Sequence, residues 1–226
     1  MDVKEQIKGG LIVSCQALEN EPMHSSFIMG RFAKAAEMGG AVGIRANTEE
    51  DIAEIKRGVS LPVIGIVKRD YPGSEVYITP TMKEVDEVVR GGAEICALDA
   101  TKRTRPEGLT LSGLVREIRK KYPALLLMAD TSGFEEMKEA EALGFDFIGT
   151  TMRGYTEDTR GVGIPDFDLI QRAARELRTP IIAEGGIWEP AQLSLALSSG
   201  AYAAVIGGAI TRPKNITKRF VDAIKK

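Results

Sequence analysis

Short apolar runs alternate with longer segments of helical period along the whole chain. Eight runs read as buried strands, at 10–15, 41–46, 62–67, 94–99, 124–129, 145–150, 180–184 and 203–207. Each is brief, rich in Ile, Val, Leu and Ala, and bounded by glycine, proline or charged residues, as a strand covered on both faces requires. Helical segments fill the gaps at 26–38, 49–57, 82–90, 112–121, 134–143, 166–177, 190–198 and 213–224. Strict alternation predicts a parallel sheet with crossover helices. Eight units in 226 residues, about 28 residues each, predict one (β/α)8 TIM barrel domain over 1–226.

A weak internal echo agrees with a quasi-repetitive barrel. Helices end on glycine and feed the next strand at Gly40, Gly92, Gly144 and Gly200, the first three spaced 52 residues apart. A left-handed helix cap explains each glycine locally. Two connections are long, Arg69–Pro80 with a small Val-Tyr-Ile strand and Arg153–Pro165; both follow strands and are candidate lids.

Composition narrows the function classes. With 43% apolar residues, 27% charged residues and a net charge of −2, there is no bulk case for binding nucleic acid or membrane. No apolar stretch approaches the roughly 20 residues of a membrane span, and the start Met1-Asp-Val-Lys-Glu is charged. Cys15 and Cys96 each sit in an apolar run and read as buried thiols of a reducing compartment. The expectation is a cytoplasmic protein. His24 is the only histidine and no Cys/His cluster exists, so no metal site is expected. Neither a GxGxxG turn nor a P-loop opens a helix.

Barrel chemistry is done where strands end, so the polar residue closing each run is informative. The runs close on Ser14-Cys15-Gln16, Arg45, Lys68, Asp99, Asp130, Thr150-Thr151, Glu184-Gly185-Gly186 and Gly207-Gly208. Lys68, directly after an apolar run, projects over the barrel mouth. To act as a base at neutral pH its pKa must fall by roughly three units, near 4 kcal/mol, which partial burial and the cations Arg45 and Arg212 could supply. The bland alternative is an ion pair from Lys68 to Asp99 or Glu184. Likewise Glu184 could merely cap the next helix, Arg45 could be a solvated partner of Glu49 and Glu50, and Asp99 and Asp130 could anchor Lys102, Arg103 or Arg153. Two diglycine turns after the last two strands, the second followed by Thr211-Arg212-Pro213, match a phosphate cup made by Gly185, Gly186, Gly207, Gly208 and Arg212.

With these residues in view, the chain resembles the N-acetylmannosamine-6-phosphate 2-epimerase family, also called N-acylglucosamine-6-phosphate 2-epimerases. Ordered matches include Gly10-Leu-Ile-Val-Ser-Cys-Gln16, Gly43-Ile-Arg45, Pro62-Val-Ile-Gly-Ile-Val-Lys68, Ile78-Thr-Pro80 and Leu98-Asp-Ala-Thr101. They continue through Met128-Ala-Asp130, Gly149-Thr-Thr151, Ala183-Glu-Gly-Gly186 and Gly207-Gly-Ala-Ile-Thr-Arg-Pro213.

The resemblance implies a ribulose-phosphate-binding type of TIM barrel that inverts C2 of an amino-sugar phosphate without a metal or other cofactor, in sialic acid breakdown. It implies Lys68 and Glu184 as catalytic, Gln16, Arg45 and Asp130 as sugar ligands, Gly186, Gly208 and Arg212 as phosphate ligands, and it admits a homodimer. Arg153 receives no role from it. Two other readings stand beside it, a Schiff-base lysine aldolase-like barrel and a non-catalytic phosphosugar-binding barrel.

Overall fold

In the computed structural model, which describes residues 2–225, eight parallel strands close into a barrel in sequence order. They are β1 (Leu11–Cys15), β2 (Gly43–Asn47), β3 (Val63–Ile66), β4 (Ile95–Asp99), β5 (Leu126–Asp130), β6 (Phe147–Gly149), β7 (Ile181–Glu184) and β8 (Ala203–Ile206). The barrel closes where β8 pairs with β1, Leu11 opposite Ala204. Helix α1 (Val3–Ile7) precedes the barrel; α2 (Ser26–Met38), α3 (Glu49–Gly58), α4 (Met82–Gly91) and α5 (Leu111–Lys121) surround it. Around the other side run α6 (Phe134–Ala142), α7 (Phe167–Glu176), α8 (Pro190–Ser198) and α9 (Pro213–Ile224). This is the TIM barrel that the alternation predicts, with each anticipated run and helix realised to within two residues at either boundary.

Two differences are instructive. Helix α1 had no counterpart in the pattern, because five residues are too few to express a period. It nonetheless buries Ile7 with the barrel interior, alongside Ile12, Ile64, Ile95, Phe147 and Val205. The Val-Tyr-Ile strand anticipated in the loop after β3 is only one antiparallel bridge, Lys68 to Ile78. Its flanking backbone bonds, Arg69 N–H to the Tyr77 carbonyl and Asp99 N–H to the Ile78 carbonyl, are single contacts to different segments and do not extend into a ladder.

Alternation along each strand divides the core into two layers. Ile44, Ala46, Val63 and Leu127 point outward into the layer beneath the helices, whereas Ile12, Ile64, Ile66, Met128 and Ile182 fill the barrel. The inward parity continues past the apolar residues. Ser14 and Gln16 follow Ile12, Lys68 follows Ile66, Asp130 follows Met128 and Glu184 follows Ile182, so one end of the barrel is polar inside. Gly40, Gly92, Gly144 and Gly200 all adopt positive φ, between 78° and 102°, which accounts for the echo as helix-end chemistry.

Helix α9 is the exception to the packing. It buries no residue, and Phe220 and Ile224 are 73% and 80% exposed.

Candidate active site

The carboxyl end of the barrel opens into a cavity of about 1170 Å³. Of the anticipated site residues, Lys68, Glu184, Gln16, Arg45, Gly185, Gly186, Gly207, Gly208 and Arg212 all line it. Asp130 does not; it is fully buried beneath the floor and reaches the cavity through Arg45 and Thr151.

Arg45 organises the floor. Its Nη2 donates to Asp130 Oδ2 at 2.6 Å, and its Nη1 donates to Asp130 Oδ1 at 3.0 Å and to Glu184 Oε2 at 2.9 Å. Only 1% of its side chain is exposed, so it is no solvated partner of Glu49 and Glu50, and its Nε has no hydrogen-bond partner. A buried cation is tolerable because the Asp130 carboxylate and the Glu184 carboxyl offset its lost hydration. Those charges raise the Arg45 pKa against the opposing effect of burial, so it is always ionised.

Lys68 stands above this floor. Among the described residues it has no ion pair within 4 Å, which excludes the structural pairing to Asp99 or Glu184. Asp99 is instead fully buried and pairs with Arg103, the anchoring role weighed for it. Burial first, then the charges of Arg45 and Arg212, lower the Lys68 pKa to about 8 against the pull of Glu184 and Asp130. Its peptide is held on two sides. Asn47 Oδ1 accepts from the Lys68 N–H at 2.8 Å, and Thr79, buried at φ 46°, exchanges two bonds with Val67, one through its hydroxyl and one through its own N–H. A buried threonine in the left-handed region costs about 1–3 kcal/mol, and that strain sits beside the candidate base.

Glu184 is fixed in a parallel way. Thr150 Oγ1 accepts from the Glu184 N–H at 2.9 Å and donates to its carbonyl at 2.8 Å. Its carboxyl faces Arg45 and Thr151 rather than the next helix, whose cap is Glu189 with Gln192. Burial, then the Asp130 charge, raise the Glu184 pKa against the Arg45 charge, the Thr151 hydrogen bond and the Lys68 charge. Across the cavity, Gln16 Nε2 donates to Ser14 Oγ at 2.9 Å, which leaves its Oε1 buried and without a donor. An orphaned buried acceptor costs about 1–3 kcal/mol, so a ligand N–H or O–H is well received there.

The glycine turns form the far wall. Gly185 and Gly186 have φ of 104° and 73°, and a Cβ on Gly186 would lie 2.6 Å from the Ile164 carbonyl. Thr211 Oγ1 donates to the Ser14 carbonyl at 2.6 Å, tying the turn after β8 to β1. Helices α8 and α9 begin just beyond, with Pro190 and Pro213 in their first turns, so both positive helix ends lie near the glycines. Arg212 completes the wall; its Nη1 pairs with Glu21 Oε1 at 3.0 Å from the loop after β1.

Both long loops contribute to the rim. Arg69, Tyr77 and Ile78 come from the first, and Tyr155 and Ile164 from the second. Arg153, without a role in the sequence reading, pairs with Asp166 and donates to the Ser132 carbonyl, bracing that second loop. His24 lies in the loop before α2, with Nδ1 3.2 Å from the Ala17 carbonyl. Cys15 and Cys96 are buried and free, and burial pushes the Cys15 thiol up to about 12. The residues missed from sequence are Asn47, Thr79 and Glu21, and Thr151, noted there as a strand-end residue, had no role assigned. Asn47 and Thr151 continue the inward parity of Arg45 and Gly149, which is a readable signal; Thr79 and Glu21 have none.

A family model described as "Putative N-acetylmannosamine-6-phosphate epimerase" (NanE) matches residues 29–226. Relatives described as "Putative N-acetylmannosamine-6-phosphate 2-epimerase" include one from Caldanaerobacter subterraneus, 57% identical over 226 residues, with 100% of this chain and 95% of that one covered. Another from Listeria welshimeri is 57% identical, with 99% and 96% covered. Among solved structures, the N-acetylmannosamine-6-phosphate 2-epimerase of Clostridium perfringens superposes with a TM-score of 0.95 at 53% identity, covering 99% of this chain and 97% of that one. A thiamine phosphate pyrophosphorylase from Pyrococcus furiosus, with a TM-score of 0.65 and 17% identity over all of both chains, shares the fold.

Proposed function

The chain belongs to the N-acetylmannosamine-6-phosphate epimerase family, and on that premise we propose that its cavity interconverts N-acetylmannosamine 6-phosphate and N-acetylglucosamine 6-phosphate at C2. It is an isomerase, and the observation that supports this use of the site is an unpaired, largely buried amine, Lys68, beside a buried Arg45–carboxylate cluster.

In the open-chain sugar the C2 proton is alpha to the C1 aldehyde, so its removal leaves an enolate. Lys68, neutral, takes that proton and becomes an ammonium. Arg45 and Glu184 face the oxygens on which negative charge develops and stabilise it there. The proton returns to the opposite face of C2, from Lys68 after the sugar turns or from Glu184. The free Oε1 of Gln16 accepts from the acetamido N–H. The phosphate sits against the N–H groups of Gly185, Gly186, Gly207 and Gly208 with the Arg212 fork, which holds the reacting carbon at a fixed distance from Lys68.

A proton NMR time course starting from N-acetylmannosamine 6-phosphate tests this directly. Appearance of N-acetylglucosamine 6-phosphate supports the reading, and an unchanged spectrum at high enzyme concentration rejects it.

The assembly we propose is a homodimer. Its support is α9, whose Phe220 and Ile224 project away from this barrel and supply an apolar face for a second copy. Light scattering giving the mass of one chain would reject it. A phosphorylated sugar and two reduced, buried cysteines suit the cytoplasm as the compartment.

A further inference from the structure

The hydroxyl of Thr151 lies between two carboxyl groups. Thr151 Oγ1 is 2.6 Å from Asp130 Oδ1 and 3.1 Å from Glu184 Oε2. A threonine hydroxyl carries one hydrogen and two acceptor lone pairs. The single hydrogen can serve only one of them in a linear bond; the other contact is a full hydrogen bond when that carboxyl carries a proton of its own.

The shorter contact, to Asp130, takes the threonine's own hydrogen. Asp130 also receives both terminal nitrogens of Arg45, which holds it as the anion. Glu184 receives a single Arg45 N–H, and none of its contacts with the described residues engages Oε1. The placement is built rather than accidental. Gly149, two residues before Thr151, has no side chain, and a Cβ there would lie 2.4 Å from Met128 Cε and 3.0 Å from Thr151 Oγ1.

We propose that Thr151 is a positioning residue that holds Glu184 as a neutral carboxylic acid in the resting site, its hydroxyl donating to Asp130 and accepting the Glu184 proton on Oε2. The charged groups facing Glu184 are Arg45 from β2, Lys68 after β3 and Asp130 from β5. With Glu184 neutral, Arg45 and Asp130 balance, and the enolate made by Lys68 meets no second negative charge on the floor. Burial and the Asp130 charge raise the Glu184 pKa against the charges of Arg45 and Lys68; a hydrogen bond donated by Thr151 would lower it, but the single threonine hydrogen is spent on the shorter contact to Asp130. The catalytic consequence rests on the epimerase reading; the protonation state does not.

The test is therefore made first without substrate. Infrared difference spectra of protein labelled with carbon-13 glutamate, titrated with pH, report a protonated glutamic acid band, assigned by its loss in Glu184→Gln. Removing the acceptor in Thr151→Val destabilises the neutral acid, so the midpoint moves down by about one pH unit, and Thr151→Ser restores it. Above the wild-type midpoint the neutral fraction, and turnover with it, is about tenfold lower in Thr151→Val, with KM little changed. A midpoint that rises or stays put in Thr151→Val, or a Glu184 band already absent above the ordinary carboxylate range, overturns the proposal. A shifted midpoint in an enzyme without epimerase activity would leave it standing and reject the substrate assignment instead.

Discussion

Replacing Lys68 with methionine is expected to make the protein more stable at pH 7 and inert. The amine ordinarily titrates at 10.5 and here at about 8, because burial and the cations Arg45 and Arg212 oppose its charge. That fall is worth about 3 kcal/mol against the ammonium in the folded state. The sign follows from proton binding. Between about 8 and 10.5 the unfolded chain holds a proton that the folded chain has lost, so stability rises with pH through this window and the penalty is fully present below it. Methionine keeps the stem's volume and carries no charge, so Lys68→Met gains up to about 3 kcal/mol at pH 7 and nothing above pH 10.5. For a chain of this size that is roughly 6–12 °C in Tm. Denaturant unfolding of both proteins at pH 7 and near pH 10.5 measures it. Equal stability at pH 7, or a gain that does not shrink with pH, would refute the reasoning.

Turnover should follow the same proton. Because Lys68 must be neutral and Glu184 protonated, kcat/KM is expected to follow a bell across pH, one limb turning near 8 with Lys68 and the opposing limb set by Glu184, read from initial rates. Arg45→Met leaves the Asp130 carboxylate buried without its cation and should cost about 3–5 kcal/mol in unfolding free energy, measured by denaturant titration. Arg212→Gln removes a charge-assisted bond worth about 1.5–3 kcal/mol, so KM for the sugar phosphate should rise roughly 10–150-fold with kcat changed little, as steady-state kinetics will report.

The fold was legible because each strand is a short run between helices of clear period, and because one glycine cap recurs at Gly40, Gly92, Gly144 and Gly200. Lys68 and Glu184 were legible for a related reason: a charged residue ending an apolar run has few places to go but the barrel mouth. The division of labour below them was not. Arg45, Asp130 and Asp99 end their runs alike, yet Arg45 takes Asp130 and Glu184 while Asp99 takes Arg103 from its own loop. Pairing across a barrel depends on side-chain reach and register, here Asp99 beside Asp130, which a linear pattern does not contain. Parity could have carried the reading further, since Phe147, Gly149 and Thr151 share one face, as do Arg45 and Asn47. The pairing of Glu21 with Arg212, 191 residues away, leaves no local trace.

The claim that most else depends on is that the Lys68 amine removes the C2 proton. Proton NMR of N-acetylmannosamine 6-phosphate in deuterated water reads that step alone, through loss of the C2 proton signal. The wild-type protein should exchange it as the two epimers interconvert, and Lys68→Met, folded and phosphate-binding, should leave it intact. Exchange by Lys68→Met at the wild-type rate would contradict the account.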